Sequence, residues 1–271
     1  MGEGMAYHRS LAVAFVGLAV LLVGCASVPH DDKALGATAA TAANSAQQRA
    51  SLRLQLASAY YGQGQLDVAL EEVTQALSLA PNDAQAYGMR ALIQAGRQQI
   101  LPAEKDFLYA LRLAPHNPEL SNNYGLFLCQ TGRAAQSLAY FDAALQDASY
   151  VSPGKALHNA GVCSASLKQY QRAGAYWLRA LQIAPDVAET NAGLVRVYYE
   201  QQDYRQAAYY LARLGTVATM ESQTADVLWL GIKVQHQLGD VSAEAGLAAQ
   251  LRHHHSASPE YAAYQNGAFD E

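Results

Sequence analysis

Apolar positions along this chain fall into three regimes. From Leu11 to Val23 every residue is apolar or glycine, and Arg9 stands on the N-terminal side of the run. These 13 residues are too few to span a bilayer as a lasting helix but suit the hydrophobic region of a secretory signal. From Ala26 to about Gln48 the sequence ASVPHDDKALGATAATAANSAQQ is small and polar, with no apolar stripe at helical spacing. It reads as a tether, reaching roughly 25–30 Å as a flexible coil, part of which its many alanines could turn helical. Beyond it a pattern recurs: YYGQGQLDVALEEVTQALSLAPND at 60–83, IQAGRQQILPAEKDFLYALRLAPHN at 93–117 and GVCSASLKQYQRAGAYWLRALQIAPDV at 161–187 share one plan. Pro81 and Pro115 are 34 residues apart, and Pro185 lies 70 beyond Pro115, which is two periods plus two residues. The two extra residues fall near DASYVSPGK at 147–155.

Each unit places large residues on a first helix and small residues where two helices touch, and three of the six have a proline after the second. Leu56, Ala57, Tyr60, Ala69, Ala76 and Pro81 do this in the first unit; Leu157, Gly161, Ala173, Trp177, Ala180 and Pro185 do it in the fourth. Alanine or glycine lets helix backbones approach, and an aromatic side chain opposite fills the remaining space. Gly64, Gly132 and Gly239 stand where a turn needs a conformation that other residues resist. A 34-residue period of paired helices resembles the tetratricopeptide repeat. That resemblance implies an all-α fold, a right-handed α-solenoid of about six helix pairs over 49–257. The repeats would run over about 50–83, 84–117, 118–151, 154–187, 188–221 and 224–257, leaving 258–271 as a C-terminal tail.

Composition supports helices and removes several functions. Ala, Leu and Gln, all good helix formers, dominate. The net charge is −5 and only 15 % of residues are charged, which argues against nucleic acid, whose phosphates call for a basic face. No glycine-rich phosphate loop, HExxH pair or nucleophile beside a base is present, so neither an enzyme nor a cofactor is expected. His253, His254 and His255 would point in different directions on a helix and read as a solvated helix end rather than a metal site. The tyrosine pairs 198–199 and 209–210 read as packing.

Leu22-Val23-Gly24-Cys25 resembles the bacterial lipobox, an aliphatic residue, a small or branched one, Gly or Ala, then Cys. The resemblance implies a signal peptide over 1–24 cut before Cys25, with a diacylglyceryl group on the thiol and usually an acylated amine. The other readings are an ordinary signal peptide with a chance cysteine and an uncleaved anchor. Two or three acyl chains hold a protein on a membrane nearly permanently, where one binds reversibly. Similarity to enterobacterial lipoproteins implies that Asp after the cysteine retains a protein in the inner membrane. Ala26 and Ser27 stand there instead, so the expected location is the periplasmic face of the outer membrane.

In the tetratricopeptide family, function lies on the concave face formed by the first helices. The inward positions of that family fall here on Leu54, Ser58 and Tyr61, Gly88, Leu92 and Ala95, then Asn122, Leu126 and Cys129. They continue with His158, Val162 and Ala165, then Ala192, Arg196 and Tyr199. This set is mostly apolar and small, which suggests a groove for a partner helix or extended segment; the alternative is that it packs between repeats. Cys129 and Cys163 fall near the ends of adjacent first helices and are candidates for a disulfide, or else two inert buried thiols.

Lipobox, tether and repeats together resemble the type IV pilus biogenesis and stability lipoproteins, the PilF/PilW pilotin family. NPELSNNYGLFLCQTGR (117–133) is the most distinctive segment, joined by ALHNAGVCSASLKQY (156–170) and LWLGIKVQHQLGD (228–240). The resemblance implies a non-enzymatic protein, monomeric on its own, that takes subunits of the pilus secretin to the outer membrane and assists their multimerisation. A general periplasmic scaffold serving cell-wall or outer-membrane assembly is the other reading. LRHHHSASPEY has histidines where the family would carry an apolar-Pro pair, which leaves the end of the solenoid open.

Overall fold

The computed structural model describes residues 32–269, with side chains from Asn44 onward. The expected signal peptide, Cys25 and the tether up to residue 31 lie outside the described residues. The chain divides into two compact units, Met1–Ala43 and Asn44–Glu271. Within the first, the described residues are all helical.

Every described element is helical. The helices are α1 Asp32–Gly62, α2 Leu66–Leu79, α3 Ala84–Gly96, α4 Ile100–Leu113, α5 Pro118–Gln130, α6 Ala134–Gln146 and α7 Pro153–Ser166. They continue as α8 Tyr170–Ile183, α9 Ala188–Glu200, α10 Tyr204–Val217, α11 Ala225–Leu238, α12 Val241–His254 and α13 Pro259–Gln265, with a 3₁₀ turn at Met220–Ser222. Each 34-residue unit is one antiparallel helix pair, and successive pairs stack into a tetratricopeptide α-solenoid. Several helix starts are set by short polar side chains that satisfy orphan amides. Asp83 accepts from the amides of Gln85 and Ala86, Asn117 from Leu120, Asp203 from Gln206, Asp240 from Ala243 and Ser258 from Tyr261.

Small residues let helices approach, and large ones fill the gaps. The indole of Trp177 lies in a slot between Gly161 and Gly193; a Cβ on either would come within 2.3 Å or 2.7 Å of it. Its Nε1 donates to the carbonyl of His158 at 3.2 Å, so the slot also satisfies the only polar atom of the ring. Around it Leu194, Leu211, Leu230 and Val234 form one layer of the core.

The turns between paired helices share one conformation. Gly64, Gly132 and Gly239 adopt φ of +74°, +82° and +72°. In the three other repeats Gln98, Lys168 and Gln202 take φ of 60°, 58° and 61°. Glycine marks only half of these turns.

At the N-terminal end the tether is helical in part, as its alanines allow; at the C-terminal end the structure differs from the expectation. Helix α1 runs from Asp32, so 17 of the 23 residues of the expected tether, 32–48, are helical; its alanines supply the propensity that the missing apolar stripe does not. The expected C-terminal tail contains α13, whose Tyr261 and Tyr264 pack with Ala263 and Phe269 against Leu228, Trp229, Ile232 and Leu251. The open end of the solenoid is thereby covered.

Candidate partner-binding face

First helices of successive repeats touch along one side: α3 meets α5, α5 meets α7, α7 meets α9, and α9 meets α11. Leu54, Ser58 and Tyr61 from α1 and Gly88 and Leu92 from α3 line one groove of about 560 Å³ on this side. His158, Val162 and Ala165 from α7 and Ala192 and Arg196 from α9 line a second, of about 280 Å³.

The first groove is more polar than the inward positions suggest. Ser51, Gln85, Glu119 and Lys155 reach into it, each the second residue of its repeat. Glu189 occupies that position at the second groove. This row was missed because the family's inward positions lie further along each first helix. The recurrence of hydrophilic residues at the second position was the available signal. Lys155 Nζ lies 2.6 Å from Glu119 Oε1 and bridges repeats 3 and 4 across the groove rim. Both groups are about half exposed, so the pair fixes geometry more than it adds stability.

At the second groove His158 Nδ1 lies 2.9 Å from Thr190 Oγ1. Burial pushes the imidazole pKa below its ordinary value, outweighing the upward pull of Glu189, so the ring is neutral at pH 7. Arg196 meets Asp226 at 3.0 Å. Nearby, the Lys233 ammonium sits 5.2 Å from the centre of the Tyr199 ring and 5.7 Å from that of Trp229. Its pKa is lowered, first by burial and then by Arg196. The pairing of cation and ring faces partly compensates the lost hydration.

Three of the expected contact residues do other work. Asn122 is fully buried; its Nδ2 donates to Asn123 Oδ1 at 3.1 Å and its Oδ1 accepts from Asn159 Nδ2 at 3.0 Å. A buried amide needs such partners, so this residue joins α5 to α7 instead of facing a ligand. Leu126 packs on the core layer of Leu138, Phe141 and Leu157. Tyr199 lies tilted against Tyr204, at 5.6 Å between ring centres, with Lys233 over its face. None of the three lines either groove.

Cys129 and Cys163 are joined by a disulfide, with Cα atoms 5.8 Å apart. His253 and His254 stack edge-to-face on the exposed end of α12, while His255 Nε2 lies 2.9 Å from the carbonyl of Gln223. Among the described residues no group of three His, Cys, Asp or Glu is placed to hold a metal ion. No helix among them is long and apolar enough to cross a membrane.

Comparison with known proteins agrees with this architecture. A tetratricopeptide-repeat family model matches residues 54–104 and 102–153, and such repeats serve as protein-interaction scaffolds. The type IV pilus assembly protein PilF of Pseudomonas aeruginosa is 24 % identical over 212 residues, covering 78 % of this chain and 83 % of that protein. The crystal structure of PilW, a widely conserved type IV pilus biogenesis factor, is 32 % identical and covers 80 % of this chain and 98 % of its own, with a TM-score of 0.73. The P. aeruginosa PilF structure superposes with a TM-score of 0.76 at 23 % identity, over 82 % of this chain and 99 % of its own. A helical solenoid with two inward grooves, sharing nearly the whole PilW fold at that identity, belongs to the PilF/PilW family of type IV pilus biogenesis proteins.

Proposed function

We propose that this chain is a pilotin: lipidated at Cys25, held on the periplasmic face of the outer membrane, it grips subunits of the pilus secretin and promotes their localisation and multimerisation there. The observation that carries the reading is the groove between α1, α3 and α5. Leu54, Tyr61 and Leu92 give it apolar walls, and the second-position row gives it polar groups that fix the register of an extended or helical segment. The LVGC sequence ending at Cys25 supplies the anchor in this scheme.

Two variants separate grip from anchor. Ser58→Glu with Leu92→Glu places two carboxylates in the groove, and Cys25→Ser removes the lipid. Immunoblots of fractionated membranes should show the first protein in the outer membrane without secretin multimers. The second should still bind secretin but leave it outside the outer membrane. Circular dichroism melts establish that both fold. Normal multimers in the outer membrane of both strains would overturn the proposal, and altered cell shape beside them would favour a general envelope scaffold.

A further inference from the structure

The opposite side of repeat 2 carries a pocket that a stacking role does not explain. It is a cleft of about 630 Å³ between α3 and α4. Tyr87 and Tyr109 form one wall, their ring centres 4.5 Å apart. Arg90 and Arg112 each lie 5.1 Å from the centre of one of these rings. Arg90 also makes a two-pronged pair with the buried Asp106, at 2.6 Å and 2.8 Å. That leaves Lys105 and Arg112, both exposed, as cations without a carboxylate among the residues lining the cleft. In a chain of net charge −5 this is a local reversal of sign.

Two further observations point to a ligand. Thirty-four residues on, repeat 3 has Tyr124 and Leu128 where repeat 2 has Arg90 and Gln94. Those two side chains are buried in the core beside Phe107. Repeat 2 therefore carries polar groups on the cleft wall at positions that fill the core in repeat 3. Moreover Gln94 Oε1, on the cleft wall, is buried without a hydrogen-bond partner. An acceptor in that state costs free energy until a donor reaches it.

We propose that this cleft binds an acidic peptide segment. Its Asp or Glu side chain pairs with Lys105 and Arg112. A neighbouring apolar or aromatic side chain lies against the tyrosines and Leu101, which is 80 % exposed. A peptide N–H donates to Gln94 Oε1 once rotation of that side chain turns the buried oxygen into the cleft. A peptide supplies acceptor charge, ring contact and donor together, whereas an anionic lipid surface supplies only the charge.

The test is selection of a random heptapeptide phage library on the full-length protein, followed by fluorescence anisotropy of the enriched peptides. The control is Lys105→Glu with Arg112→Glu; both sites are exposed, and equal thermal melts establish folding. A Gln94→Leu protein provides a second control. Enriched peptides should place Asp or Glu beside an aromatic or aliphatic residue. Charge reversal should weaken them at least tenfold, Gln94→Leu several-fold, and raising NaCl from 50 to 300 mM should weaken them likewise. Enrichment of non-acidic peptides, affinities indifferent to charge reversal, or binding only to phosphatidylglycerol vesicles would overturn the proposal.

Discussion

Gln98, Lys168 and Gln202 each carry a Cβ in the left-handed region, where the equivalent turns of the other repeats hold glycine. A side chain there meets the following carbonyl at a cost of about 1–2 kcal/mol, partly offset because glycine loses more entropy on folding. Each substitution to glycine should therefore stabilise the protein by about 0.5–1 kcal/mol, and Gly132→Ala should destabilise it by about 1 kcal/mol, all read from urea midpoints. The three glycine turns were legible in the sequence; the others were not, because packed helices on both sides hold the turn whatever residue occupies it. Asn122 teaches the same lesson. Its place on the first helix pointed inward, but an amide 3.0 Å away on Asn159 decided its role, and no single-residue rule carries that information.

The helix pairs were legible for a different reason. Their small and large residues recur with one period, and each repeat faces the same neighbours, so one reading serves six times. The two ends break that logic. The C-terminal segment SASPEYAAYQ lies outside the period, though Ser258 capping the Tyr261 amide and Pro259 in the first turn are ordinary helix-start signals. Capping elements of repeat proteins need only one matching face, so no repetition exposes them. Truncation after Ala257 should uncover Trp229 and Leu228. The expected loss is about 3 kcal/mol, on the scale of burying one or two large side chains, with a red shift in tryptophan emission. An unchanged melting curve would show that α13 does not cap the solenoid.

Over the whole molecule, stability is shared between neighbouring repeats, so any joint can open before the rest. The joint between repeats 3 and 4 departs from the period: the connection from α6 to α7 runs through 147–152, two residues longer than the four-residue connections that follow α2, α4 and α8. The same joint carries the disulfide, whose cysteines are 34 positions apart in sequence. By loop entropy a closure of that size is worth about 2–4 kcal/mol. Cys129→Ser with Cys163→Ser should lower stability by that amount in urea melts, and the wild type should match it once reduced.

That covalent link has a further consequence, best put as mechanics. One groove is built on α1, α3, α5 and the start of α7, the other on α7, α9 and α11, and the bond ties α5 to α7 at the far ends of those two helices. A solenoid flexes like a spring, a little at every coil; here one coil is clamped covalently. With the Asn122–Asn159 and Lys155–Glu119 contacts already joining α5 to α7, the bond fixes the spacing of the two grips as the jaws of a caliper are locked.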